Sequence, residues 1–459
     1  MVLSVIEKQS NGDIAQGFKR LSKNAFIEDT LPKIKGGRAL FYRAPAIKWG
    51  YSKKLERKIE SRFENINQGD FQIVIIAPPS KANNFSAQLY EDLSNNHLGK
   101  HKVAEYSSST FGRDTEIQVT VNNEEVPETV FIVASPQDEN DYALINDVAS
   151  KYRKFPKVKK IVLIAPFMAN QREDKNAKYN KEKDRIEYTG QTITIASRLA
   201  SLSRDIDKII NFEPHSSASQ AWAAEYGMSF APISLWKLMA EEFQSKLRSE
   251  SKYYNPDDYV FIRPDKGRNI SAIRMQRHLG IKTRVNFEKD RDGNGNTVFK
   301  KLTAKQTRDI RGKNLLIYDD EGATFGTMSG VIGKIAEAKA DVKSITVMLG
   351  HARFAEDFIN KEGRYIPGWK QNIKKIIDAA KSANPPIKLK FIISDTRQAL
   401  GDIYAFARKN EGLFSFVSVA PLIRQLIESE ISQKNPWTDS DLKELLIQPI
   451  TKEEENDDE

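Results

Sequence analysis

The sequence predicts an α/β protein made of two tandem doubly wound domains with mostly parallel sheets, plus an N-terminal extension. Three observations predict it. Short apolar runs recur along most of the chain. Helical periods of about 10–15 residues separate them, the rhythm of βαβ units. The rhythm then runs through a second time, as expected of two domains in a chain of 459 residues.

Residues 1–70 lack that rhythm and read as an extension, with a charged helix expected at 53–67. From there the apolar runs at 71–77, 129–134, 160–166 and 208–212 read as strands, and the alternating run 116–121 reads as another. The periodic stretches 85–93, 141–152 and 191–202 read as helices between them. The second round has strands at 259–263, 314–318, 344–349 and 389–394. Its helices are expected at 235–247, 270–279, 326–338, 370–383 and 419–431. The domains expected are therefore 71–232 and 233–414, then a closing helix at 415–435 and an acidic tail at 436–459. The polar, Gly-rich stretch 290–296 reads as a mobile loop able to act as a lid.

Composition narrows the chemistry. There are no cysteines, which excludes disulfides, thiolate metal sites and cysteine nucleophiles. Five histidines leave little room for a multi-histidine metal centre. No apolar run approaches the roughly 20 residues that span a membrane, and Glu7 and Lys8 interrupt the place a signal peptide would need. A cytoplasmic location without membrane partners is expected. The net charge of +9 persists despite the acidic end. It suits either a nucleic-acid surface or small polyanionic substrates. The lysines are scattered and no aromatic stacking platform interleaves them, so nucleic acid is not expected as a partner.

The most informative stretch is Leu315-Leu316-Ile317-Tyr318-Asp319-Asp320-Glu321-Gly322-Ala323-Thr324-Phe325-Gly326-Thr327. An apolar strand ends in adjacent carboxylates, and a short loop leads into a helix. Carboxylates there can accept hydrogen bonds from vicinal ribose hydroxyls. Backbone N–H groups and Thr hydroxyls at a helix N-terminus can cradle a phosphate. A plain strand–turn–helix would use the same residue types as turn and cap. Four more clusters sit at strand ends: Phe111-Gly112-Arg113-Asp114-Thr115-Glu116-Ile117, Asn170-Gln171-Arg172, Glu213-Pro214-His215, and Arg263-Pro264-Asp265-Lys266-Gly267. Each alone also fits a polar turn. Their shared topology points to one site.

Together these motifs resemble the ribose-phosphate pyrophosphokinases over about residues 71–432. Asp319-Asp320 with Thr324-Phe325-Gly326-Thr327 is similar to that family's acidic pair and Thr-Gly-Gly-Thr. Asp114-Thr115-Glu116-Ile117 is similar to its nucleotide loop, and Met168-Ala169-Asn170-Gln171 to its Tyr-Ala-Arg-Gln. Glu213-Pro214-His215 is similar to Asp-Leu-His, Arg263-Pro264-Asp265-Lys266-Gly267 to Ser-Pro-Asp-x-Gly, and Lys289-Asp290-Arg291 to the Lys-x-Arg of a catalytic arm. Ser418-Val419-Ala420-Pro421-Leu422-Ile423 resembles its closing helix.

The resemblance implies two type I phosphoribosyltransferase-like domains and transfer of the β,γ-diphosphoryl group of ATP to the anomeric hydroxyl of a 5-phosphoribose. It implies Lys289 and Arg291 as catalytic, and Asp114, Glu116, Gln171 and Arg172 at ATP. It implies Asp319, Asp320, Thr324, Phe325, Gly326 and Thr327 at the sugar phosphate, and Mg²⁺ near His215 and Asp265. The partners expected are small-molecule substrates and further copies of the chain in a homo-oligomer.

The chain departs from the family in three places. Asn170 stands where an arginine is common, and Gly112 where an aromatic is. Ala323 replaces a third aspartate and Phe325 adds a bulky apolar side chain to the same loop, so an acceptor with a substituted 5′-phosphate, such as ADP-ribose, becomes an alternative to ribose 5-phosphate. A phosphoribosyltransferase and a non-catalytic regulatory homologue remain the other readings.

Overall fold

The computed structural model describes residues 71–75, 106–111, 114–119, 126–171, 177–180, 185–188, 194–215, 218–250, 253–264, 270–291, 297–359, 365–366, 368–397 and 412–431, with further positions within 403–410 and at 445–447. In chain order, β1 (Phe71–Ile75) is followed by a hairpin, β2 (Tyr106–Phe111) and β3 (Asp114–Val119), then β4 (Thr129–Val133), α1 (Glu139–Arg153) and β5 (Lys160–Ala165). A second hairpin, β6 (Ala177–Asn180) and β7 (Arg185–Tyr188), precedes α2 (Thr194–Leu202), β8 (Lys208–Phe212), α3 (Ala218–Glu225) and β9 (Ser229–Ile233). Helix α4 (Trp236–Ser249) leads to β10 (Tyr259–Arg263), α5 (Ile270–His278), β11 (Arg284–Asn286), a hairpin of β12 (Lys289–Arg291) and β13 (Thr297–Phe299), and α6 (Ala304–Asp309). Then come β14 (Asn314–Gly322), α7 (Gly326–Glu337), β15 (Ser344–Ala352), a small hairpin of β16 (Phe358–Ile359) and β17 (Tyr365–Ile366), α8 (Trp369–Ser382), β18 (Lys388–Ser394), β19 (Phe414–Val417) and α9 (Ala420–Ile431).

Two parallel sheets result, ordered β1-β4-β5-β8-β9 and β11-β10-β14-β15-β18-β19. Their strands are apolar on both faces because both faces are covered, as βαβ crossovers require. The outer face of the first sheet (Val130, Ile132, Leu163, Ile209) packs on Tyr142, Ile145, Val148 and Leu199 of α1 and α2. The outer face of the second (Ile317, Val347, Leu349, Ile393) packs on Val331, Ile335, Ile373 and Ile376 of α7 and α8. The inner faces share one apolar layer: Phe131, Ile164 and Phe212 from the first sheet, Phe261, Leu316 and Met348 from the second, and Trp236, Met239, Phe243, Met275, Ile423 and Ile427 from α4, α5 and α9. The spacing of the apolar positions in α4 follows the helical repeat, which is why its buried stripe fits between sheets. Among the described residues no helix is long and apolar enough to cross a membrane.

The closing helix belongs to both halves. Lys160 and Lys208 begin β5 and β8, and both donate to Glu430 near the end of α9 (Lys160 Nζ at 2.8 Å). Burial alone would raise the Glu430 pKa. Hydrogen bonds and charge from the two lysines outweigh it and hold the carboxyl below its ordinary value. The described part of the tail also returns to the first half: Leu446 bridges antiparallel to Ile233 of β9, and Leu445 and Leu446 enter the shared layer.

Several expected elements recur within a residue or two. Others were not foreseen: β2, β9, β11, β12, β13, β19, α3, α6 and the hairpins 177–188 and 358–366; residues 290 and 291 of the expected loop lie in β12, and 415–417 of the expected closing helix lie in β19. Strand β3 starts at Asp114 rather than 116, and β15 runs to Ala352 rather than 349. The helices expected at 53–67 and 85–93, and the extension 1–70, lie outside the described residues.

Replacing Glu430 with Gln leaves two lysines facing an uncharged amide. The expected loss is about 3 kcal/mol of stability at pH 7, read from denaturant unfolding. Because the folded pKa is depressed, this stabilisation is present above the carboxyl's unfolded pKa and is lost as pH falls through the folded value. The difference between the two proteins should therefore shrink in acid; a gap independent of pH would contradict the assignment.

Buried Asp395 has the opposite sign. Burial pushes its pKa up to about 7, opposed by the Val419 N–H it accepts at 2.8 Å. Its ionisation erodes stability as pH rises from the unfolded carboxylate range to about 7. Asp395→Asn keeps an acceptor for Val419, so its melting temperature relative to the parent should be higher at pH 8 than at pH 5.

Candidate active site

In the second sheet the strand order reverses about β10, with β11 on one side and β14 on the other. Ligands of open α/β sheets bind beyond the carboxyl ends of the strands at such a switch point. The acidic pair lies there. The strand does not stop at 318, as the sequence suggested: β14 continues through Gly322, with Asp319 opposite Leu349, Glu321 opposite His351 and Gly322 opposite Ala352. Pairing with the equally long β15 keeps the carboxylates on rigid backbone. The pleat sends alternate residues to opposite faces. Tyr318 and Asp320 face the first half, whereas Glu321 turns the other way and binds Arg353 Nη1 at 3.2 Å. Asp319 Oδ1 accepts from the Asp320 N–H at 3.1 Å.

Residues 323–325 form the turn into α7. Phe325 adopts a left-handed conformation (φ 63°, ψ 13°) directly before Gly326, the first helical residue. Its side chain is 2% exposed and packs on Phe354 and Phe391, with ring centroids 5.4 and 6.0 Å away. The bulk expected in the phosphate loop is therefore in the core, and any contact from Phe325 to a ligand is through its backbone. Burying a Phe offsets the roughly 1–2 kcal/mol of left-handed strain. The neighbouring segment braces the turn: the Ala355 N–H donates to the Ala323 carbonyl at 2.9 Å, and Asn372 Nδ2 to the Thr324 carbonyl at 2.9 Å. Thr324 and Thr327 are half-buried, and the first N–H groups of α7 have no partner within the helix.

Residues of the first half reach the same place. His215, just past β8, lies with Nδ1 2.9 Å from Asp320 Oδ2. Its backbone N–H donates to Gln171 Oε1 at 3.1 Å, Gln171 Nε2 donates to Asn211 Oδ1 at 2.7 Å, and Asn211 donates to the Ala165 carbonyl. The structure thus brings together Gln171, His215, Asp319, Asp320 and the turn before α7. The arm residue Lys289 is in β12, with Nζ 5.5 Å from the Phe299 ring centroid in β13. Phe299 lies so close to Gly330, one turn into α7, that a Cβ there would come within 2.3 Å of its ring. The β12–β13 hairpin is therefore seated against the helix that starts at the turn 323–325. The backbone of Arg291 ends β12, and Asp114 and Glu116 lie in β3. Arg172, Asp265 and the lid 292–296 are outside the described residues.

Sequence reasoning missed a buried polar seam beneath this site. Glu213 is 2% exposed and has φ 40°. Its Oε1 accepts from Ser234 Oγ (2.6 Å), the Leu235 N–H (2.6 Å) and Tyr318 Oη (2.7 Å), and its Oε2 accepts from Ser271 Oγ (2.8 Å). Burial raises its pKa, and these donors oppose the rise. His351, 3% exposed, lies 3.0 Å through Nε2 from the Phe212 carbonyl. A carbonyl only accepts, so Nε2 carries the proton and Nδ1 faces Thr396 Oγ1 at 2.8 Å. Burial lowers the His351 pKa, which favours this neutral form. Above the seam, Arg397 stacks over the Phe167 ring at 4.7 Å and donates to Gln137 Oε1 at 2.8 Å and the Arg353 carbonyl at 3.3 Å. Burial lowers its pKa to about 10, so it remains a cation at neutral pH. A separate cleft of about 1140 Å³ opens at the other ends of the strands, beside Tyr259, Ser344 and Phe414, away from these residues.

No family model matches the chain. The ribose-phosphate pyrophosphokinase of Pyrococcus abyssi is 26% identical over 233 residues, covering 50% of this chain and 70% of that protein. The Thermococcus kodakarensis enzyme of the same name is 26% identical over the same length, covering 50% and 71%. In structure, the phosphoribosylpyrophosphate synthetase of Mycobacterium smegmatis superposes with a TM-score of 0.55 at 17% identity, over 79% of this chain and 99% of that one. The chain is a divergent relative of the ribose-phosphate pyrophosphokinases. The structural likeness extends over both halves, and the fold is the phosphoribosyltransferase-like α/β arrangement repeated in tandem. This chain places Phe325, with its side chain in the core, at a left-handed position where glycine is the undemanding residue.

That placement gives a test. Phe325→Ala keeps the left-handed strain and loses the packing, for about 3–5 kcal/mol. Phe325→Gly loses the same packing but relieves about 1 kcal/mol of strain. Thermal unfolding should rank parent above Gly above Ala. Ala above Gly would mean that the strain is not relieved at this position.

Proposed function

We propose that the chain transfers the β,γ-diphosphoryl group of ATP to the anomeric hydroxyl of a 5-phosphoribosyl sugar, with ribose 5-phosphate as the default acceptor. The observation that carries this reading is the His215–Asp320 contact, which joins a strand end of one half to the acidic pair of the other at the switch point. Relatives named ribose-phosphate pyrophosphokinase support it.

In this reading Asp319 and Asp320 hold the ribose hydroxyls, and the backbone of Thr324, Phe325, Gly326 and Thr327 holds the 5′-phosphate at the start of α7. Gln171, Arg172, Asp114 and Glu116 bind ATP. The anomeric oxygen attacks the β-phosphorus, the bond from that phosphorus to the α,β-bridging oxygen breaks, and AMP leaves. Lys289 and Arg291 close over the transferred group and neutralise the charge that develops on it. Alignment and electrostatics then supply most of the rate.

Among the described residues no group of three or more His, Asp or Glu forms a metal cage. Mg²⁺ keeps waters and is held through substrate phosphates with one or two protein carboxylates. Asp265 and the His215–Asp320 pair would hold it, and when bound it would neutralise phosphate charge. Pairing of Nδ1 with Asp320 fixes the His215 ring.

ADP-ribose is a second acceptor reading. Ala323 leaves the turn without a third carboxylate, and Arg353 and Arg397 place cationic groups beside Gly322 and Glu321. A second phosphate would meet favourable charge there.

Purified protein with Mg²⁺ and ATP should release AMP when ribose 5-phosphate is added. Release only with ADP-ribose would reassign the acceptor, and release with neither would sink the diphosphoryl-transfer reading. Lys289→Ala should lower turnover by at least about a hundredfold at unchanged melting temperature; near-normal turnover would remove the arm from the reaction.

A further inference from the structure

The two halves meet in two rungs of unequal exposure. In the inner rung Tyr318 Oη donates to Glu213 Oε1 at 2.7 Å, with Tyr318 1% and Glu213 2% exposed. In the outer rung His215 Nδ1 lies 2.9 Å from Asp320 Oδ2, at the mouth of the site. Each rung joins a residue just past β8 to one of β14, and the rungs are two residues apart on both sides. On β14 two residues are one pleat repeat, so Tyr318 and Asp320 share a face. On the other side Glu213 is left-handed and Pro214 has a fixed φ, so 213–215 is a stiff turn.

The inner rung is held from every direction. Glu213 is also fixed by the Leu235 N–H and the Ser234 and Ser271 hydroxyls. The carbonyl before it, Phe212, accepts from His351. Gly350 passes so close that a Cβ on it would lie 3.0 Å from both Glu213 Cγ and the Asp320 carbonyl. Tyr318 sits in β14 between β10 and β15. Phenylalanine would fill the same space in the shared apolar layer. The hydroxyl adds only the bond to Glu213.

We propose that Tyr318 is a positioning residue: through Glu213 its hydroxyl sets how closely His215 approaches Asp320, and so aligns the nucleotide side of the site with the acceptor side. Its catalytic consequence rests on the diphosphoryl-transfer reading; its geometric consequence does not. A misplacement of about 1 Å between reacting groups is enough for a rate loss of about a hundredfold. Freed of one donor, Glu213 can move toward Ser234 and Ser271 and carry 213–215 with it.

The test uses the full-length chain and two readouts. In steady-state assays Tyr318→Phe should lower kcat by about tenfold or more, with KM for ATP and ribose 5-phosphate within about twofold. Glu213→Gln retains an oxygen that accepts from Tyr318 and should keep most of the activity, whereas Glu213→Leu should lose it. The second readout needs no substrate. The chain has five histidines, so its imidazole NMR spectrum at pH 8 is small, and His215→Gln assigns the His215 signals. Those signals should move in Tyr318→Phe toward their positions in Asp320→Asn and stay in place in Glu213→Gln. A folded Tyr318→Phe with unmoved His215 signals and parental kcat overturns the proposal. So does a lower melting temperature with parental kcat and signals, which would make the hydroxyl merely structural. If the parent protein releases no AMP with any acceptor, the diphosphoryl-transfer reading fails, and the NMR arm alone decides: shifted signals uphold the positioning and unshifted signals overturn it.

Discussion

Glu213 lies where donors from the turn into α4, from α5 and from β14 meet, and the mutual placement of the two sheets depends on that meeting. The inner faces of the sheets share an apolar layer supplied largely by α4, α5 and α9. Apolar contact is strong and non-directional, so by itself it tolerates sliding. Hydrogen bonds in a dry interior are directional, and breaking one leaves a buried group unsatisfied. The seam of Glu213, Tyr318, His351, Phe212 and Thr396 therefore turns a compatible pair of surfaces into one fixed register. The site sits directly on top of it.

The same seam explains why the acidic pair is on a strand. Extending β14 to Gly322 needs a partner of equal length, and β15 supplies it by running to Ala352, past the point where its apolar pattern ends at Leu349. Gly350 lets Glu213 approach, and His351 reaches the first sheet. The carboxylates are thereby tied to a backbone that both sheets brace, whereas the turn before α7 is braced separately by Ala355 and Asn372.

Much of this was legible in the sequence because strands buried on both faces write continuous apolar runs, and amphipathic helices write a period. Strand 259–263 and the helix from Gly326 are read directly from such patterns. Short edge strands such as β11 and β19 carry too few residues for a pattern to emerge. The polar ends of β14 and β15 look like loops because Asp, Glu, Gly and His disfavour strands in isolation; tertiary pairing overrides that preference. His215 and Gln171 were legible as candidate-site residues from their place after strands, and the structure brings them together with Asp320. Glu213 and Tyr318 were not legible as a bonded pair, because a contact across 105 residues leaves no local trace. Phe325 was misread for a related reason: a large side chain in a loop looks like bulk at the site until the core beneath it is known.

The bond from Glu430 to Lys160 and Lys208 also says something about time. Those partners are 270 and 222 residues apart in the chain. During synthesis β5 and β8 emerge long before α9, so the inner face of the first sheet has no permanent cover until the second half has been made. Contacts of such long range slow folding, because a large loop must close before they form. The first half must wait with an apolar face exposed, a state that invites association with other chains. Its maturation is thus tied to completion of the second half, and a chain interrupted before α9 would have the first half translated but not sealed.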